Sequence, residues 1–184
     1  MSSRRAAIRR EHMDRQKINK HNSVNGELER LVEKGTLEGR VLAIAITFPI
    51  LKEKYKFSKK NLERLLDVTG KESAKFSQPA TQFVLQQYQD KMVNKISKMP
   101  LNVNVFDVKQ QIYELRKNEV FITSCAMLFI ALNQEFNYST NSKETGRIDK
   151  LIDLLLMEFE KMQCGNKNIN YYIKQLEEKT SISL

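Results

Sequence analysis

The chain has 184 residues, 41% of them hydrophobic, with 31 Lys and Arg against 22 Asp and Glu for a formal net charge of +9. That apolar share builds one core of ordinary size and excludes wholesale disorder. Only 6 Gly and 3 Pro are present, which excludes β-sandwiches, tight-turn solenoids and collagen-like arrays, all of which need many turn residues. What remains is an all-α fold with a basic surplus.

Residues 1–22 read as a basic N-terminal arm. Arg4, Arg5, Arg9, Arg10, Arg15, Lys17 and Lys20 stand against Glu11 and Asp14, a net +5. Ile8, Met13 and Ile18 recur every five residues and make no apolar stripe, so the arm suits either a flexible segment or an exposed helix capped by Ser2 or Ser3, with Glu11–Arg15 as an i,i+4 pair. No apolar h-region follows the charge, which argues against a secretory signal. His21-Asn22-Ser23 reads as a break and Asn25-Gly26 as a turn.

Residues 23–184 are expected to form a single helical domain. Leu28, Leu31 and Val32 suit a short helix ending near Gly35, after which Thr36 caps a second through Val41, Leu42, Ala45, Phe48, Leu51 and Tyr55, kinked or divided at Pro49. KEKYKFSKK, residues 52–60, follows: Lys52, Lys54, Lys56, Lys59 and Lys60 against Glu53, a net +4. Arm and patch together account for the whole surplus, because the other 153 residues hold equal numbers of acids and bases. A turn at Ser58 opens a helix with Leu62, Leu65 and Leu66, closed by Gly70. Pro79 begins a long helix through Phe83, Tyr88, Met92 and Ile96, and Pro100 stops it. Asn104 or Asp107 caps the next, which leads into the apolar stretch Val120–Phe136. The longest uncharged run, Val120 to Gln134, falls short of the roughly 20 apolar residues a membrane span needs. A polar loop over Tyr138–Gly146 precedes two last helices, Ile148–Met162 and Ile169–Leu176. The latter, with Tyr171, Tyr172 and Leu176, is expected to pack internally rather than pair two subunits.

The chain also repeats at an offset of 81. Phe48, Leu51, Tyr55, Phe57 and Ser58 align with Phe129, Leu132, Phe136, Tyr138 and Ser139; after five extra residues, Leu62, Leu65 and Leu66 align with Ile148, Leu151 and Ile152. Each copy reads as an apolar helix, an aromatic-x-aromatic-Ser turn and a second amphipathic helix. Two helical hairpins, about 37–76 and 118–162, are therefore expected to share one core about a pseudo-twofold.

The turn Tyr55-Lys56-Phe57-Ser58-Lys59-Lys60-Asn61-Leu62-Glu63-Arg64 resembles a module in small helical proteins of unassigned function from phages of low-G+C Gram-positive bacteria. Their turn reads aromatic-Gly-aromatic-Gly before a Lys/Arg-rich helix start. The match covers roughly 30 residues per copy and departs at both glycines, here Lys56 and Ser58. It implies a phage setting and action in the bacterial cytoplasm, and it carries over no functional residues.

Catalytic signatures are sparse. Both histidines, His12 and His21, lie in the arm, so no nucleophile–histidine pair is expected within the domain, and Cys125 and Cys164 lack partners for a zinc site. Both thiols are expected reduced, Cys125 as a buried one. The scattered glycines form no phosphate loop. The carboxylate pairs Glu158/Glu160 and Glu177/Glu178 read as solvated faces. No enzyme, cofactor or metal is expected. The arm's guanidiniums suit phosphate contact and counterion release, and the patch lysines add to it. Tyr55 and Phe57 are aromatic in both copies and read as core rather than as a stacking platform. The expected function is a non-enzymatic accessory or regulatory protein that binds nucleic acid or a nucleoprotein complex, with no membrane partner and the oligomeric state open. The alternative is a protein inhibitor that sterically blocks a host enzyme such as a polymerase or defence nuclease.

Overall fold

The computed structural model describes residues 2–72, 78–96, 107–138 and 146–184, with side chains described outside 2–24 and 71–72. Among these residues it holds six helices: α1 (Ser2–Tyr55), α2 (Lys59–Glu72), α3 (Pro79–Ile96), α4 (Val108–Phe136), α5 (Arg147–Gln163) and α6 (Ile169–Thr180). The all-α class holds. Asn104 as a cap, Pro100 as a helix stop and Ser139 in the second turn lie outside the described residues.

The main departure is α1, one helix of 54 residues that passes through the expected break at 21–23 and the expected turn at Gly26; it also runs on through Pro49, which does not divide it. Gly35 does not end a helix and Thr36 does not begin one. Gly35 and Gly39 are instead buried where α1 crosses α4. A Cβ at Gly35 would lie 2.9 Å from the Tyr113 carbonyl oxygen, and one at Gly39 only 2.5 Å from that of Lys117. The glycines thus serve backbone approach, which offsets the propensity loss of about 1 kcal/mol each incurs inside a helix. The Thr36 hydroxyl donates to the Val32 carbonyl at 2.8 Å and accepts from Arg116 Nε at 3.0 Å, tying α1 to α4. Gly70 likewise lies within α2 rather than closing it. Asp107 does cap α4, accepting from the Gln110 N–H at 3.0 Å, and Asn168 caps α6 by the same device at 2.9 Å.

Helices α1 and α4 run parallel in the register of the repeat. Gly35 meets Arg116 and Gly39 meets Val120, each the partner at offset 81. Their ends match as well. Lys56 and Asn137 both adopt left-handed backbone, φ 59° and 54°. The next N–H in each, Phe57 and Tyr138, returns to the Leu51 or Leu132 carbonyl at 3.2 Å. The turn aromatics then pair reciprocally, Tyr55 with Tyr138 at 5.6 Å and Phe57 with Phe136 at 4.9 Å between ring centroids. A local pseudo-twofold therefore runs between the two helices.

The symmetry extends further than the expected hairpins. Helix α2 packs on α4 and α5 on α1, so the second helix of each unit lies across the first helix of the other. The third helices follow suit, α3 on α4 and α6 on α1. Tyr88, Met92 and Ile96 are the buried face of α3; Tyr172, Leu176 and Thr180, at the same spacing, are that of α6. Helix α6 thus packs internally, as expected. Each unit has three helices rather than two.

The core lies along the α1–α4 seam. Phe48 and Phe129, equivalent by the offset, are both fully buried, and Phe121 stacks on Phe159 at 4.6 Å. Cys125 is buried and free, Cys164 exposed and free. Contrary to the sequence expectation, α4 is long and apolar enough to cross a membrane by length and composition. Half of its most apolar stretch is buried inside the protein, where it forms the seam.

Candidate nucleic-acid interface

The reciprocal aromatic pairs place both hairpin turns at one end of the seam. Helices α2 and α5 begin there, so their N-terminal N–H groups and positive dipole ends gather at one pole. Ser58 caps α2, its Oγ accepting from the Asn61 N–H at 3.2 Å, whereas Gly146 offers α5 no side-chain cap.

The aromatic residues beneath are committed to packing. Phe57 is 5% and Tyr138 6% exposed. Tyr55 donates its hydroxyl to the Arg147 carbonyl at 3.0 Å. Burial pushes the Tyr55 and Tyr138 phenols above the usual tyrosine range, keeping both neutral. The reading of Tyr55 and Phe57 as core holds.

The patch lysines lie outside this clamp. Lys54, Lys56, Lys59 and Lys60 are exposed and Lys52 half-buried. Lys59 makes an i,i+4 pair with Glu63 at 3.8 Å, an exposed contact worth a few tenths of a kcal/mol. Lys52, Lys54, Lys56 and Lys60 form no ion pair with any described residue. Two further cations join the pole that sequence reasoning did not mark. Arg64 pairs with Glu135 and lies 5.8 Å from the Phe136 ring centroid, and Arg147 lies 5.1 Å from that of Tyr138. Their sequence positions, nine and ninety-two residues from Tyr55, gave no signal; the twofold packing assembles them.

The arm residues Arg4, Arg5, Arg9, Arg10, Arg15, Lys17 and Lys20 belong to α1, at the opposite end from the pole. Between Lys20 and Lys52 the helix rises about 48 Å. The two basic segments are therefore separate. By the offset of 81 the start of α4 corresponds to position 27 of α1, and an ion pair from Lys109 to Glu27 at 2.7 Å marks that level. The arm is the part of α1 that precedes this level.

Other polar groups are structural. Glu158, expected on a solvated face, is held from three sides. Lys161 reaches it at 2.6 Å, Lys167 at 2.9 Å, and the Tyr172 hydroxyl donates to its backbone carbonyl at 2.8 Å. Partial burial pushes its carboxyl up, but the two lysine hydrogen bonds outweigh that and hold it below the usual carboxylate range. The clamp borders a cleft of about 160 Å³ between α1, α5 and α6, whose rim includes Lys54, Lys167 and Tyr171. Burial pushes the Cys125 thiol well up, away from thiolate reactivity. Among the described residues no group of three or more His, Cys, Asp or Glu is placed to hold a metal ion. No protein-family model, curated protein or solved structure matches the chain.

Proposed function

We propose that this protein is a non-enzymatic accessory or regulatory factor that binds nucleic acid, alone or within a nucleoprotein complex, through its basic arm and its basic pole. The observation that carries the reading is the uncommitted charge. Four pole lysines have no ion-pair partner among the described residues, and the aromatics beside them are used up in packing. Ammonium groups presented this way neutralise phosphates and release counterions without reading bases. Affinity should therefore be salt-dependent and general. The test is fluorescence anisotropy of the full chain on DNA and RNA across a salt series, beside a variant with Arg4, Arg5, Arg9 and Arg10 changed together to Ala. The variant is expected to keep the thermal transition and lose at least about tenfold in affinity, with a shallower salt slope of about 0.9 per lost phosphate contact. Absence of binding at about 50 mM salt, or binding unchanged in the variant, would overturn the reading.

A further inference from the structure

Building on the nucleic-acid reading above, we propose that the α1 extension binds double-stranded DNA by lying in its major groove. The extension is continuous helix from Ser2 up to the level where α4 begins, so its residues have fixed angular positions, about 100° apart. Positions 5, 9, 12, 16 and 20 recur at intervals of four, three, four and four and share one face: Arg5, Arg9, His12, Gln16 and Lys20. All five carry hydrogen-bonding side chains, and Arg, Lys and Gln are residue types that pair with guanine or adenine edges in the major groove.

The remaining cations divide symmetrically about that face. Arg4 and Arg15, three turns apart, lie roughly 110° to one side; Arg10 and Lys17, two turns apart, lie roughly 110° to the other. Glu11 and Asp14, the arm's two acids, fall on the back. A helix resting on a single phosphate strand would need its cations on one face. A helix seated in a groove has a phosphate wall on each side, edges in front and solvent behind, and the charge pattern matches that surrounding on all four sides.

Groove dimensions select the duplex. The B-form major groove, about 12 Å wide, admits an α-helix; the minor groove, about 6 Å wide, does not. The deep, narrow major groove of A-form RNA excludes one. From position 5 to position 20 the reading face spans about 22 Å, some six base pairs of rise. Continuous basic helices that run from a coiled coil or a helical bundle into the major groove, there as pairs from a dimer, are an established geometry.

The experiment compares the full chain on duplex DNA, duplex RNA and single-stranded DNA of one sequence and about 20 nucleotides, at one salt concentration. It adds dimethyl sulfate protection, which distinguishes guanine N7 in the major groove from adenine N3 in the minor. Duplex DNA is expected to bind at least about tenfold tighter than duplex RNA, with N7 protected and N3 not. A Met13→Pro variant keeps every cation and breaks the helix outside the packed repeat. It is expected to lose that tenfold preference while retaining its single-strand binding and thermal transition. Equal binding of all three nucleic acids, protection of N3 alone, or a preference untouched by Met13→Pro would overturn groove insertion and leave the nucleic-acid reading standing. Binding to none of them would overturn both.

Discussion

Lys56 shows how much of a turn one residue decides. It holds φ 59° on the first turn, as Asn137 holds 54° on the second. A side chain in this region costs about 1–2 kcal/mol for most residues, less for Asn, and little for Gly. Lys56→Gly should therefore stabilise the fold by about 0.5–1 kcal/mol after the added backbone entropy of glycine, and Asn137→Gly by only a few tenths. Urea midpoints of the two variants check this; a destabilising Lys56→Gly would mean that the lysine side chain matters more to the turn than the backbone does. The same position explains which part of the turn was readable. Aromatics two residues apart, recurring at the offset of 81, are visible in the sequence and correctly mark a shared core. The left-handed residue between them was hidden, because lysine is not a left-handed signature, whereas a glycine there would be. Glu158 shows a different limit: Lys161, three residues further on, is an i,i+3 partner that the sequence displays, but Lys167 and Tyr172 reach it only once α6 folds back.

The helices were legible where amphipathic spacing set them, and α2, α3, α5 and α6 lie close to their expected places. Glycine misled. Gly35 and Gly39, with a threonine between them, read equally well as a stop and a cap or as two small residues one turn apart. Only the backbone of a second helix distinguishes the two, and that helix, α4, lies some eighty residues on. Two alanine substitutions separate the meanings. At Gly39 the added Cβ would sit 2.5 Å from a backbone carbonyl and 3.0 Å from the Phe121 nitrogen, so the helix pair must separate; a loss of about 3 kcal/mol is expected. At Gly26 an added Cβ meets nothing within 4 Å, and Ala should gain about 0.8 kcal/mol of helix propensity. Chemical denaturation of both variants is the check. A destabilising Gly26→Ala would restore the turn that the sequence suggested. The third helices escaped the repeat search because Tyr88-Met92-Ile96 and Tyr172-Leu176-Thr180 share spacing and burial but only one residue type.

For the whole molecule, the decisive feature is that one helix carries both basic segments to opposite ends. The sequence located each segment and left open how they combine, since a break near residue 22 would have let a flexible arm fold back to the pole. The continuous α1 forbids that. A duplex of 12 base pairs is about 41 Å long, shorter than the rise of about 48 Å from Lys20 to Lys52. Arm and pole should therefore engage separate short duplexes. Two 12-base-pair duplexes per chain are expected at low salt, and one when Lys52, Lys54, Lys56 and Lys60 are changed together to Ala. Groups this far apart with no shared partner should also act additively. The arm and pole variants, measured singly and together, should show a coupling free energy within about 0.5 kcal/mol of zero. Analytical ultracentrifugation gives the stoichiometry and anisotropy the cycle. A single duplex per wild-type chain, with a coupling above about 1 kcal/mol, would show the two basic segments gripping one molecule, which a separation of about 48 Å along one helix does not permit. A bend in α1, with Pro49 or the glycines as its hinge, would then be required.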